Sequence, residues 1–199
     1  MKLYVVRHAP AAARRIGRPD FDRALTARGA ARMRQIARAL RHLGVAPDAI
    51  YSSPLLRARQ TAEILARQLD GNRDPRIVDG LRPGGRVDLL LHDIGARHRR
   101  AAAVVMLVGH EPDLGRLLSV LLCGDVRIAL RLRKGGFCRL EVPPGRLRHS
   151  RCATLEWFIA PRLLRKSGGR VGGLARGATG PRRPTAAPRR DAARPATKR

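Results

Sequence analysis

Two arginines and two histidines stand where short apolar runs of this sequence stop. Arg7 and His8 follow the run 3–6, Arg57 opens a helical stretch after a second run, and His110 follows a third. A guanidinium binds phosphate through two parallel hydrogen bonds, and a neutral imidazole is a nucleophile. The set therefore predicts phosphoryl transfer with His8 as the attacking group. The other three residues would stabilise the charge that develops on the equatorial phosphate oxygens.

These residues meet only if the chain folds as alternating strands and helices. Strands alternating with helices predict a three-layer αβα fold with a mostly parallel central sheet, in which ligands bind at the carboxyl ends of the strands. Strands are predicted at 3–6, 49–52, 77–78 and 103–108, followed by an antiparallel pair at 137–142 and 154–159. Helices are predicted over 27–43, from 54 to about 69, and over 87–96 and 112–122.

Two of these helices begin with local capping signals. Thr26 is the predicted N-cap of a helix that Gly44 closes. Ser53 and Pro54 predict the N-cap and first residue of the next helix, which puts Arg57 in or near its first turn. From that position the guanidinium reaches the helix N-terminus, where anions bind favourably.

The charge of the chain is strongly positive. There are 42 Lys and Arg against 15 Asp and Glu, which gives a formal net charge of +27. Such a charge attracts polyanions. Only 3% of the residues are aromatic, so there are few platforms for base stacking, and sequence-specific nucleic-acid recognition is disfavoured.

Cysteines and hydropathy bear on the compartment. Three cysteines in neither metal nor disulfide spacing predict reduced thiols in a cytoplasmic protein. Arg7 and His8 interrupt the apolar start too early for a signal peptide, and no stretch has the ~20 apolar residues of a membrane span. His8 and His110 lack carboxylate or thiolate partners at ligand spacing, so we predict no metal and no other cofactor.

The end of the chain differs in composition from the rest. Residues 166–199 contain ten Lys or Arg, one acid and almost no large apolar side chains, which predicts a disordered basic tail. We assign the folded domain to 1–163 and the tail to 164–199. Two interpretations of the tail remain open: a non-specific contact for polyanions with steep salt dependence, or a solvated extension without function.

Three segments resemble the signatures of the histidine phosphatase superfamily, which includes the phosphoglycerate mutases. They are Arg7-His8, Ser52-Ser-Pro-Leu-Leu-Arg-Ala-Arg-Gln-Thr-Ala62 and Val108-Gly-His110. Within that superfamily the chain is most similar to the short SixA-type phosphohistidine phosphatases, through Ala24-Leu-Thr-Ala-Arg-Gly29 and Lys134-Gly-Gly136. The resemblance covers about residues 1–160 and implies a phosphoglycerate mutase-like fold. It also implies His8 as the phosphorylated nucleophile and Arg7, Arg57 and His110 as the phosphate pocket.

The chain departs from the family pattern at two places. Ala9 stands where the family has glycine, and its Cβ is expected to crowd the pocket or to restrict φ. Larger members of the family carry an acid between the second and third signatures that protonates the leaving oxygen. In this chain the segment 78–85 has only Asp79, with Asp88 following later, so no general acid is evident there.

The missing acid bears on the substrate. An alkoxide leaving group needs a general acid, whereas the imidazole of a phosphohistidine leaves readily because its nitrogen titrates near neutrality. Our first hypothesis is a phosphatase for phosphohistidine in a protein, and the second is a hydrolase of a small phosphomonoester or anhydride. The third is an inactive phosphatase fold that binds polyanions through the tail. Arg23 and Glu111 are further candidates for substrate contacts, and Glu111 is also a candidate acid.

Overall fold

Helices and strands alternate along the described part of the chain, which in this computed structural model comprises residues 1–17, 19–69, 74–98, 103–147 and 150–166. The strands are β1 Lys2–Arg7, β2 Ala49–Ser52, β3 Arg76–Ile77, β4 Val104–Gly109, β5 Phe137–Glu141 and β6 Thr154–Ile159. The helices are α1 Ala27–His42, α2 Leu56–Leu69, α3 Val87–Arg97, α4 Asp113–Cys123 and α5 Pro161–Lys166. Two short 3-10 segments, Asp20–Asp22 and Asp79–Leu81, precede α1 and α3.

The six strands form one sheet in the order β3-β2-β4-β1-β5-β6. The first four of these are mutually parallel, β5 is antiparallel to β1, and β6 is antiparallel to β5. Strand β1 is buried on both faces: Leu3 and Val5 enter one apolar cluster, and Tyr4 and Val6 enter the other. This explains why the strand is continuously apolar. The predicted mostly parallel sheet and its antiparallel final pair are confirmed.

Helices cover both faces of the sheet. Helices α1, α2 and α5 supply apolar side chains such as Met33, Leu65 and Leu164 to the cluster on one face. Helices α3 and α4 supply Ile94 and Leu118 to the cluster on the other. The three-layer αβα prediction is therefore confirmed. None of the helices in the described ranges is both long and apolar enough to cross a membrane.

The carboxyl ends of β1 and β4 form the switch point of the sheet. The chain leaves β1 through α1 toward β2 on one side, and leaves β4 through α4 toward β5 on the other. Arg7 pairs in register with Gly109, and the N–H of His8 donates to the Gly109 carbonyl at 3.1 Å. Ligands of open α/β sheets bind at such a point. His8 and His110 follow directly on the two strands that create it.

The capping predictions have different outcomes. Thr26 is the N-cap of α1, and its hydroxyl accepts from the N–H of Gly29 at 2.9 Å. Helix α2, however, begins at Leu56 and not at Pro54. The hydroxyl of Ser53 does accept from the N–H of Leu55 at 3.3 Å. The first helical hydrogen bonds, however, run to the carbonyl of Leu55, from the N–H groups of Ala58 and Arg59. The chain therefore bends once more before α2 starts.

The predicted domain boundary between 163 and 164 falls within helix α5. This helix continues to Lys166, and Leu164 is buried in the cluster that contains α1 and α2. The division into a domain and a tail stays a prediction. The prediction of a disordered tail falls on residues 167–199, which lie outside the described residues.

Candidate active site

The His8 side chain is buried at the carboxyl end of β1, with 5% of it exposed. Its Nδ1 lies 2.7 Å from the carbonyl oxygen of Ala9. A carbonyl oxygen only accepts, so Nδ1 carries the proton and Nε2 keeps its lone pair. Burial, followed by the positive charges of Arg57, Arg7 and Lys134, lowers the pKa of His8 to about 4. The imidazole is therefore neutral at pH 7, which is the nucleophilic form.

The His110 ring lies beside that of His8, with ring centroids 5.0 Å apart. Its Nε2 is 2.8 Å from the hydroxyl of Ser53, the residue that precedes α2. Burial and the neighbouring His8 and Arg57 lower the pKa of His110 to about 3. Ser53 thus fixes the orientation of His110 through a contact between the exits of β2 and β4.

The two arginines reach this pocket from different elements. Arg7 donates from one terminal nitrogen to the carbonyl of Leu132 at 2.8 Å. Arg57 is 4% exposed. This burial lowers the pKa of its guanidinium, and the negative charge of Asp20 offsets only part of the decrease. Arg7 Nε, Arg57 Nε and His110 Nδ1 are buried without a hydrogen-bond partner, and among the described residues only Arg139 Nε shares this property. Because buried polar atoms are normally paired, these three nitrogens are suited to oxyanion oxygens.

A carboxylate that the sequence did not single out, that of Asp20, binds Arg57. Arg57 donates to the Asp20 carboxylate and to its backbone carbonyl, both at 2.8 Å. The other carboxylate oxygen accepts from Nε of Arg23 at 2.9 Å. Burial raises the pKa of Asp20, but the ion pairs with Arg57 and Arg23 outweigh it and lower the pKa overall. The predicted substrate contact Arg23 therefore lies one carboxylate away from Arg57, beside a cavity of about 450 Å³.

Ala9 fits its position without backbone strain. Its N–H donates to the hydroxyl of Thr61 at 3.0 Å, and that hydroxyl donates to the carbonyl of Arg57 at 2.7 Å. Among the described non-glycine residues only Arg151 has a positive φ, so the expectation that a Cβ at position 9 restricts φ is wrong. The methyl group packs in the cluster of α1 and α2. Thr61 was missed by the sequence reasoning, although it lies inside the second signature.

Glu111 is tied to backbone amides. Its carboxylate accepts from the N–H of Leu132 at 2.7 Å and from the N–H of Gly115 at 3.2 Å. The carbonyl of the same Leu132 holds Arg7. Glu111 therefore orders the segment that positions Arg7, and this arrangement does not favour the prediction that it contacts substrate or acts as an acid.

The other acidic candidates lie on exposed elements. Asp79 is exposed in the 3-10 segment before α3. Asp88 is exposed in α3, where the hydrogen bond from Arg86 lowers its pKa to about 2. Neither carboxyl group lies in a buried site. The described residues also contain no group of three or more His, Cys, Asp or Glu side chains placed to hold a metal ion.

Glycines in two of the quoted segments hold the exit of β1 in place. A Cβ at Gly29 would overlap the carbonyl oxygen of Pro10, so the first turn of α1 approaches this backbone only with glycine there. Gly135 has φ +77°, and its N–H is shared between the carbonyls of Arg7 and His8, each at 3.1 Å. Both segments thus fix the backbone that carries the two residues.

Comparison with known proteins assigns this arrangement to a family. Residues 3–83 match the model of the histidine phosphatase superfamily (branch 1). Phosphohistidine phosphatase SixA of Escherichia coli is 30% identical over 125 residues, which cover 63% of this chain and 76% of that protein. This chain belongs to the histidine phosphatase superfamily. The predicted family and its SixA type are confirmed, and the chain is a phosphatase by family.

Two further similar proteins match a larger share of this chain, which is 82% in both cases. An uncharacterized protein of Picosynechococcus is 38% identical over 164 residues, which cover 82% of this chain and 99% of that protein. The structure of the protein histidine phosphatase SixA complexed with tungstate superposes with a TM-score of 0.71 at 25% identity. The superposition covers 82% of this chain and 99% of the SixA chain. The phosphoglycerate mutase-like fold is therefore confirmed for nearly all of the described part.

The buried imidazoles of this SixA-type phosphatase should resist protonation. With pKa values of about 4 for His8 and about 3 for His110, neither ring should protonate between pH 8 and 5 in a titration followed by NMR. In urea both should titrate near the reference value of ~6.5. Because the unfolded chain binds these protons first, they reduce the stability of the fold progressively as the pH falls from about 6.5 to about 4 for His8 and to about 3 for His110. Protonation of either ring near pH 6.5 in the native protein would contradict this.

Asp20 should compete with phosphate for Arg57. Changing Asp20→Asn removes a negative charge within hydrogen-bonding distance of this guanidinium, so inorganic phosphate should inhibit the phosphatase at a severalfold lower concentration, equivalent to about 1 kcal/mol. Asp22→Asn is the matched control, because Asp22 is exposed in the same 3-10 segment. Weaker inhibition of the Asp20→Asn variant would instead mean that the carboxylate positions Arg57 for phosphate.

Proposed function

We propose that this phosphatase removes phosphate from phosphohistidine in a protein, through a phosphorylated His8. The observation that carries the proposal is the hydrogen bond from His8 Nδ1 to the carbonyl of Ala9. It fixes the tautomer that leaves Nε2 as a nucleophile in a buried pocket. The 30% identity to a phosphohistidine phosphatase supports the choice of substrate.

The reaction has two in-line displacements at phosphorus. Nε2 of His8 attacks the phosphoryl group, and the P–N bond to the substrate breaks with its electron pair going to the substrate imidazole. Water then attacks phosphorus, the bond to His8 breaks, and inorganic phosphate leaves. Arg7, Arg57 and His110 would surround the equatorial oxygens in both steps, where positioned donors stabilise the transition state.

The acidic residues near the pocket favour a P–N bond over an ester. Glu111 is held by two backbone amides. The ion pairs of Asp20 with Arg57 and Arg23 keep it deprotonated at neutral pH, so it is a poor proton donor. A phosphate ester needs such a donor for its alkoxide. The other ring nitrogen of a phosphohistidine is protonated near neutrality, so its imidazole leaves in the neutral form without a donor from the enzyme. The site is thus better suited to phosphohistidine than to a sugar phosphate or phosphoserine.

A matched pair of peptides tests this function. One peptide carries phosphohistidine and the other carries phosphoserine at the same position, and kcat/KM is measured for both after the uncatalysed rate is subtracted. Since general acid catalysis contributes about 10²-fold or more, the phosphohistidine peptide should be preferred by at least about 10²-fold. Equal rates, or a preference for the ester, would refute the proposal and favour a hydrolase of phosphomonoesters.

A further inference from the structure

A second cavity, which we call the basic cavity, adjoins the backbone next to His8. Its volume is about 220 Å³, and none of the four residues of the phosphate pocket lines it. Ala9 and Pro10 form one wall, and the segments 133–135 and 160–162 form the others. Four cationic side chains line it, namely Arg32, Arg133, Lys134 and Arg162, and no acidic side chain of the described residues does.

The basic cavity also has apolar lining residues. Ala9, Met33 and Ile36 are at most 2% exposed, so they offer almost no surface to a ligand. By contrast, Arg133, Lys134 and Arg162 are exposed at its rim. A carboxylate matches this rim, because it can accept charge-assisted hydrogen bonds from guanidinium and ammonium groups at the same time.

The basic cavity is connected to the catalytic backbone. Gly135, which follows Lys134, shares its N–H between the carbonyls of Arg7 and His8. Ala9, the opposite wall, is the next residue after His8 and supplies the carbonyl that fixes the His8 tautomer. The charge of Lys134 is close enough to His8 to lower the pKa of that imidazole. A side chain bound in the cavity therefore belongs to a residue only a few positions away from one whose phosphoryl group is held at His8.

We propose that the basic cavity binds an acidic side chain of the phosphorylated protein, close to its phosphohistidine. This inference rests on the proposed function and narrows its substrate to phosphohistidines with acidic neighbours. The positive charge of the chain as a whole would attract any acidic protein. The cavity differs in that it places four cationic side chains next to the backbone that carries His8, so it selects a position and not only a charge.

Charge reversal in the cavity tests this selection. The substrates are a phosphohistidine peptide with glutamates on both sides and its twin with glutamines, and the measured quantity is the ratio of their kcat/KM values. The double variant Lys134→Glu, Arg162→Glu should lower this ratio about fivefold, since it replaces two exposed ion pairs, each of which contributes a modest amount, with repulsion. The control Arg38→Glu, Arg67→Glu changes the net charge equally at exposed positions outside the cavity, so it should leave the ratio within twofold.

A binding measurement separates this inference from the proposed function. The unphosphorylated glutamate peptide is titrated into the full chain, and the amide resonances of Ala9 and Gly135 are followed by NMR. Shifts in the wild type that disappear in the Lys134→Glu, Arg162→Glu variant support the cavity, even if no phosphohistidine peptide is hydrolysed and the proposed function fails. If phosphohistidine is hydrolysed but the ratio falls equally in both double variants, net charge alone acts and the inference is wrong. Absence of any shift at Ala9 and Gly135 would also overturn it.

Discussion

Replacing His8 by alanine should abolish phosphate release and the covalent phosphoenzyme together. In the proposed mechanism the His8 imidazole supplies the attacking atom. We therefore expect kcat/KM to fall at least about 10³-fold, as it does when other enzymes lose a nucleophile that acts with its neighbours as a unit. Rapid quenching of the wild type with labelled phosphohistidine peptide should trap an acid-labile phosphoramidate on His8. The His8→Ala variant should yield none.

The control for this substitution is His42→Ala. His42 is exposed in the last turn of α1, so its loss should change neither turnover nor the trapped intermediate. Thermal unfolding of both variants shows whether the buried position tolerates alanine. Turnover in a folded His8→Ala protein would assign the nucleophile elsewhere. A phosphorylated wild type that releases no phosphate would instead assign the failure to the second displacement.

The strands and their exits could be predicted because the information is local. Strands β1 and β4 are continuously apolar over a few residues, which is typical of parallel strands buried on both faces. The rule that ligands bind at the carboxyl ends of such strands then brings Arg7, His8 and His110 together from positions far apart in sequence. For α1, the hydroxyl of Thr26 and the position of Gly44 were sufficient to define both ends.

The parts that could not be predicted depend on long-range contacts. Asp20 lies in a loop of unremarkable composition, and its role appears only when α2 brings Arg57 against it from 37 positions away. The start of α2 was predicted too early because the chain still bends at Pro54 and Leu55, and the first helical hydrogen bonds run to the carbonyl of Leu55. Glu111 likewise resembled a free acid beside His110 until the segment at Leu132 was seen to bind it.

Arg57→Ala should cause the second largest loss of activity. Arg57 is buried beside both histidines, and donors of this kind at a developing charge contribute about 10²–10³-fold, so kcat/KM should fall by that factor. Arg57→Lys should recover only part of the loss, because an ammonium cannot reproduce the bidentate geometry. Arg59→Ala, on the exposed side of the same helix, should have little effect.

Phosphate binding gives a second readout. The Arg57→Ala variant loses the guanidinium and leaves Asp20 without its main partner, so it should bind inorganic phosphate more weakly than wild type. The Asp20→Asn variant should bind phosphate more tightly. Equal losses in Arg57→Ala and Arg59→Ala would mean that only the net charge matters and that Arg57 does not hold the phosphoryl group.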